Sequence, residues 1–225
     1  MTYTKIRLDF KYGPRGRFYR VILVKENPDL FKLGVSFGTV LGATFEHCFL
    51  FRCKDYVEYV MACFMEEPLR GYKYLGFYHL SDLPDSFSYE YDTGDGWVFT
   101  CKKYKKTVEL KSKEDIILLE GKGQGIWEDN ICSLYALFNN EISPDFSGED
   151  EEKGIYKPWN CDVDKYGDFD LPLNIEDEND SISSLFEIDY QECLSNEKEY
   201  IKASHPCLDD YNEESHFDRK IRDEI

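Results

Sequence analysis

Arg17-Phe18-Tyr19-Arg20-Val21-Ile22-Leu23-Val24, followed by Asn27-Pro28-Asp29 and then Leu30, is the stretch on which the fold turns. Aromatic and β-branched residues crowd its first eight positions, which reads as a strand. Gly13-Pro14-Arg15-Gly16 precedes it as a turn, and residues 3–10 place Tyr3, Ile6, Leu8 and Phe10 in imperfect alternation with polar neighbours. A β-hairpin is therefore expected at the N-terminus. On the other side, Asn27-Pro28-Asp29 is a stop followed by an N-cap, and Leu30, Leu33, Phe37, Val40 and Leu41 recur at helical spacing. The spacing predicts a helix over 30–44 lying across the sheet. Gly34, Gly38 and Gly42 recur every fourth residue along it. Each costs a helix about 1 kcal/mol relative to Ala, so the glycines are expected to face a closely approaching sheet.

Further along, 45–51 reads as a returning strand, and Asp55 as the cap of a second helix carrying Val57, Val60, Met61 and Phe64, ended by Pro68 and Gly71. Segments 72–79, 86–91 and 97–110 read as strands, with Thr93-Gly94-Asp95-Gly96 as a hairpin turn. Ile116-Ile117-Leu118-Leu119 is a short buried strand, a glycine loop spans 121–125, and Asp129 opens a helix through Ile131, Leu134, Tyr135, Leu137 and Phe138. The pattern makes an α+β fold: a mixed or antiparallel sheet with an N-terminal hairpin covered by helices, plus an acidic C-terminal extension. A domain over 1–175 and a partly ordered extension over 176–225 are expected. Trp159, Tyr166, Phe169, Leu171 and Leu173 are too apolar for a solvated tail and should fold back onto the body.

Charge divides the chain as well. Residues 1–140 carry 19 Lys and Arg against 19 Asp and Glu, while 141–225 carry 8 against 26, so the whole net charge of −18 sits in the last 85 residues. A neutral body with an acidic third argues against direct binding to nucleic acid, which needs clustered cations to displace counterions. A protein partner with a basic surface fits better. The N-terminus lacks the apolar core of a signal peptide and no apolar run reaches the length of a membrane span, so a cytoplasmic protein with no membrane contact is expected. The eight cysteines show no Cys-x-x-Cys spacing and read as buried free thiols.

Chemistry concentrates in two turns. Asp92 and Asp95 in one, with Glu128 and Asp129 in the other, supply four carboxylates beside Trp97 and Trp127. If the turns adjoin, they make an acidic cleft, with Tyr91 and His47 near it, able to take a hard cation or a guanidinium. The structural alternative has Asp92 and Asp95 bonding turn amides and Asp129 capping the following helix. Gly121-Lys122-Gly123-Gln124-Gly125 lies where phosphate loops lie, but its spacing matches neither a P-loop nor a dinucleotide fingerprint, leaving a tight turn. No nucleophile motif, catalytic triad or His pair at metal-ligand spacing is present in the sequence, so no catalytic residue, metal set or cofactor is assigned.

The strand 17–24, the Leu30-x-x-Leu33 helix start and Phe45-Glu46-His47-Cys48-Phe49 resemble the opening of the plasmid Ri ORF-three-like family, the TnpR passenger group of insertion elements. Tyr89 to Trp97 and Gly121 to Asp129 match its two strongest motifs in order, and Phe169-Asp170-Leu171-Pro172-Leu173-Asn174 is similar to its closing element. The resemblance covers roughly 3–175. It implies an α+β fold and a cytoplasmic protein of plasmid or mobile-element type, and it implies no reaction. The family commonly carries a His two residues after the motif Trp, where this chain has Phe99, so the resemblance brings no His-based site with it.

Three functions follow as expectations. The first is a non-enzymatic binding protein of mobile-element type that engages a protein partner through an acidic surface. The second is an acidic mimic of nucleic acid that inhibits a host defence nuclease, in the manner of an anti-CRISPR protein. The third is a metal-dependent enzyme using Asp92, Asp95, Glu128 and Asp129.

Overall fold

A computed structural model describes residues 1–65, 71–123, 125, 126, 129, 131, 134, 135 and 173–204. Strands β1 (Thr2–Phe10) and β2 (Tyr19–Lys25) form the N-terminal hairpin, in register from Tyr3 opposite Lys25 to Asp9 opposite Tyr19. Helix α1 (Leu30–Leu41) follows directly, because Asp29 accepts the Lys32 amide at 2.7 Å and fills the N-cap expected of it. Such a cap is worth about 1 kcal/mol.

The remaining strands are β3 (Phe49–Arg52), β4 (Glu58–Val60), β5 (Tyr72–Tyr74), β6 (Ser86–Tyr91), β7 (Trp97–Lys103), β8 (Val108–Glu109) and β9 (Ile116–Lys122). They join the hairpin in one sheet of order β5-β4-β3-β6-β7-β1-β2-β9, and β8 pairs with β1 beyond the end of β7. Only β4 and β5 run parallel; every other named pair is antiparallel. The fold is α+β, with the sheet, hairpin and covering helix in the expected arrangement.

Alternation places Ile6, Leu8, Phe10, Ile22, Phe51, Phe87, Tyr89, Trp97 and Phe99 in the main core, where α1 sets Phe37 against Phe51, Phe87 and Tyr89. Gly34 and Gly38 are buried, as the glycine periodicity anticipates. A Cβ on Gly34 would fall 2.0 Å from the Phe49 ring, and one on Gly38 would fall 2.4 Å from the Phe45 ring. Gly42 differs: it ends α1 at φ 79°, a left-handed cap that glycine adopts without strain.

Arg20 occupies a core-facing position of β2 and is wholly buried. Its guanidinium donates to the carbonyls of Val40 (2.9 Å), Tyr19 (3.0 Å) and Lys122 (2.8 Å). Val40 belongs to the last turn of α1, whose carbonyls lack intrahelical partners, so the cation compensates the negative end of the helix. Burial pushes the guanidinium down to about 10, which leaves it charged at neutral pH.

Four expectations need correction. The segment capped by Asp55 is no helix: Tyr56 turns at φ 62° and Glu58–Val60 pairs with β3, followed by a 3-10 turn over Ala62–Met65. Val57, Val60, Met61 and Phe64 happen to match helical spacing, but Val57, Tyr59 and Val60 prefer a pleated surface and a strand edge was open to them. The strand expected at 45–51 begins only at Phe49, because Phe45 has φ 62° and breaks the extended run. Segments 72–79 and 97–110 are each interrupted, the first by a 3-10 turn at Leu75–Phe77, the second at 104–107. Pro68, the stretch 141–172 and residues 205–225 lie outside the described residues.

Helix α2 (Ile175–Ser204) runs through the acidic extension and packs on α1 and β9. Ile182, Phe186 and Cys193 enter the same core as the sheet. The Asn179 amide pairs with both backbone groups of Leu118, at 2.8 Å each, so the helix is tied to β9 as an added layer. Asp189 accepts from Thr39 Oγ1 of α1 at 2.6 Å. No described helix is long and apolar enough to cross a membrane.

Glu197 on α2 is buried, and its carboxylate accepts the Ala62 amide at 2.8 Å. Burial raises its pKa, against the opposing pull of the hydrogen bonds from Ala62 and Tyr74. Folded protein then holds a proton that the unfolded chain has already released. The stability due to this group is therefore full below the ordinary carboxylate value and is lost as pH rises through the raised one. Glu197→Gln keeps an acceptor for Ala62 and cannot ionise. Chemical denaturation should find the stability of the variant relative to the parent growing as pH rises from about 4 to 7; a difference independent of pH would contradict the burial argument.

Candidate functional site

The turn between β6 and β7 is built by Asp92. Its backbone is left-handed at φ 51°, its carbonyl accepts the Gly96 amide at 2.6 Å, and its Oδ1 accepts the amides of Gly94 (3.0 Å) and Asp95 (3.2 Å). Asp tolerates this conformation better than most residues because its short carboxylate bonds nearby amides. The side chain is 6% exposed, and its second oxygen, Oδ2, is buried with no hydrogen-bond partner among the described residues. A buried carboxylate oxygen without a donor is costly, so this position suits a cation or a hydrogen-bond donor.

Asp95 takes the role the sequence suggests for Asp129, which lies instead beside His47. Asp95 Oδ2 accepts the Ile131 amide at 3.2 Å, taking the helix-start amide expected to belong to Asp129. Asp129 is exposed and left-handed at φ 55°, and its carboxylate lies 3.2 Å from His47 Nε2. The other ring nitrogen of His47 is 3.7 Å from Asp92 Oδ1. His47 lies in the loop 44–48 ahead of β3, not within a strand, and its amide meets the Tyr91 hydroxyl at 3.4 Å.

These residues share one open cavity of about 510 Å³, lined by Glu46, His47, Cys48, Cys63, Phe64, Asp92, Thr93, Gly94, Asp95 and Asp129. One ligand atom from each of His47, Asp92 and Asp129 lies within 4.8 Å of the others. Two of the three come from left-handed residues, and the loop bearing His47 starts at left-handed Phe45. Strained backbone of this kind persists where the surroundings hold it and gathers at functional sites.

The two motif turns therefore adjoin, but Tyr91 and Trp97, expected at the cleft, are not among the residues that line it. Both are fully buried: Tyr91 packs edge-on against Phe45, and Trp97 packs against Phe10. Strand alternation sends the side chains of 97 and 99 into the core, where Phe99 meets Phe10 and Phe18, so position 99 is an aromatic core position. Trp127 and Glu128 lie outside the described residues. The glycine loop serves the fold: Gly121 leaves room for Arg20 and Leu173, Gly123 takes φ 82°, and the Ile126 amide bonds the Leu41 carbonyl at 2.8 Å, closing the end of α1.

Sequence reasoning missed Glu46, Cys48 and Cys63 as lining residues. The two thiols lie 3.1 Å apart. Their shared hydrogen bond draws the Cys48 thiol below its ordinary value, while the same bond and burial push Cys63 up. A separation of fifteen residues without a Cys-x-x-Cys pattern carries no signal of this pairing. A second cavity of about 230 Å³ lies behind them, lined in part by Met61, Cys193, Asn196, Glu197 and Tyr200.

No family model and no curated protein matches the chain. Among solved structures it is similar to a protein of unknown function, MM3350, from Methanosarcina mazei Go1, with a TM-score of 0.54 and 19% identity over 73% of this chain and 97% of that one. At that identity the likeness speaks for the fold alone.

Proposed function

We propose that this is a binding protein whose cavity holds one divalent cation through His47, Asp92 and Asp129. The observation that carries this reading is the buried Asp92 Oδ2, without a hydrogen-bond partner among the described residues, beside an imidazole and a second carboxylate from two other segments. One nitrogen and two oxygen donors suit Mn²⁺, Fe²⁺ or Zn²⁺ better than Ca²⁺, and three protein ligands facing an open cavity leave coordination positions for a further ligand. Asp95 is committed to the Ile131 amide, which removes one of the four carboxylates from a hydrolytic role. The reading is therefore of a cation-anchored binding site, in a cytoplasmic protein of the mobile-element type that the sequence resemblance implies.

Thermal unfolding of chelator-treated protein tests it. Mn²⁺ is the informative probe because it favours oxygen and imidazole donors over the chain's thiols. At about 100-fold over its dissociation constant a cation adds about 2.7 kcal/mol, which for a chain of this size is a rise of roughly 5–10 °C in Tm. Asp92→Asn keeps the Oδ1 acceptor for the turn amides and should lose the rise. An equal rise in the variant, or none in the parent, would sink the reading.

A second reading rests on α2, whose exposed residues include Glu176, Asp177, Asp180, Glu187, Glu192 and Glu199. This acidic face supports recognition of a basic protein surface, with faster association at low salt, and a nucleic-acid mimic is one form it would take.

A further inference from the structure

We infer that Cys48 and Cys63 are a dithiol site that a small-molecule disulfide, of the glutathione disulfide class, oxidises reversibly to an intramolecular disulfide. Their sulfurs are 3.1 Å apart, inside the contact distance of two unbonded sulfurs and about 1 Å longer than a disulfide bond. Side-chain rotation can close a gap of that size. The pair sits on two separate pieces of chain: Cys48 ends the loop 44–48 just ahead of β3, and Cys63 lies in the 3-10 turn Ala62–Met65. Both are partly exposed and both line the open cavity of about 510 Å³, so a reagent of glutathione size has a way in. Cys101, by contrast, is buried in the main core.

The chemistry balances in two exchanges. One thiolate of the pair attacks a sulfur of the reagent disulfide, forming a mixed disulfide and expelling one reagent thiolate. The second cysteine, already in contact, loses its proton to that thiolate. Its sulfur then attacks the protein sulfur of the mixed disulfide, and the second reagent thiolate leaves and takes from solvent the proton that the first cysteine released on ionising. The dithiol has lost two electrons and two protons, and the reagent disulfide has become two thiols.

The bond would join the loop that carries His47 to a turn anchored through the Ala62 amide to Glu197 of α2. Oxidation therefore fixes one wall of the cavity to the covering helix. The site stands on sulfur geometry and needs no cation.

Full-length protein, without added metal, is incubated with excess glutathione disulfide, quenched by alkylation and mapped by mass spectrometry without reduction. The expected product is a peptide pair cross-linked through Cys48 and Cys63, lacking two hydrogens and restored by dithiothreitol. Cys63→Ser should stop at a glutathione adduct on Cys48, and Cys48→Ser at one on Cys63. Persistent adducts on both cysteines of the parent, both thiols left unmodified, or a cross-link from either one to another cysteine would overturn the proposal.

Discussion

Phe186→Ala should lower the stability of the whole protein by about 3–4 kcal/mol, within the range for removing a buried aromatic ring. Phe186 is 4% exposed, stacks on Tyr190 with ring centres 5.8 Å apart, and lies in the core shared with the sheet. Ile188, two residues on, is 61% exposed, and its replacement by Ala should change stability by less than about 0.5 kcal/mol. Denaturant unfolding monitored on the sheet would give the contrast. If α2 were a detachable acidic tail, both variants would leave the sheet's unfolding unchanged, and so would deletion of 176–225. The packing of α2 on α1 and β9 calls instead for that deletion to expose the core.

Gly34→Ala is the second large effect, and its sign is the informative part. In an exposed helix the change gains about 1 kcal/mol of propensity. Here the new methyl would sit 2.0 Å from Phe49 Cε2, a ring fixed between α1 and β3, and overpacking of this kind costs 1–3 kcal/mol or more. A net loss of about 2 kcal/mol is expected, a fall in Tm of roughly 4–8 °C. Combining it with Phe49→Leu should recover part of the loss relative to the sum of the single changes, since the two side chains compete for one space. A variant more stable than the parent would mean that α1 does not approach the sheet through Gly34.

Local signals account for what the sequence reveals of this fold. The first hairpin, the Asp29 cap and the β6–β7 hairpin each depend on residues within a few positions of one another, so composition and spacing suffice. The false helix at 55–64 arises because four apolar residues at helical intervals also suit a short strand and a 3-10 turn, and only the unpaired edge of β3 decides between them. Helix α2 does carry a stripe, Ile182, Phe186, Cys193 and Glu197, at intervals of four and seven. Its last member is an acid, buried because Ala62 and Tyr74 offer it donors, and no count of apolar residues finds that.

The candidate site divides in the same way. Asp92, Asp95 and Asp129 stand out in glycine turns, yet which carboxylate serves the helix amide and which meets His47 depends on how two turns dock. Tyr91 and Trp97 stand next to the turn in sequence, and strand alternation turns both inward. Glu46 and Cys48 enter through the loop 44–48, whose departure from a strand rests on the left-handed Phe45, and Cys63 enters through the 3-10 turn Ala62–Met65.

The most direct measurement is an anomalous-scattering map from crystals of the protein grown with Mn²⁺. One peak is expected, bonded directly to a His47 ring nitrogen and to oxygens of Asp92 and Asp129, with its remaining ligands drawn from the open cavity. A peak elsewhere, or no peak while Asp92 Oδ2 is met by a donor of the protein itself, would contradict the cation site.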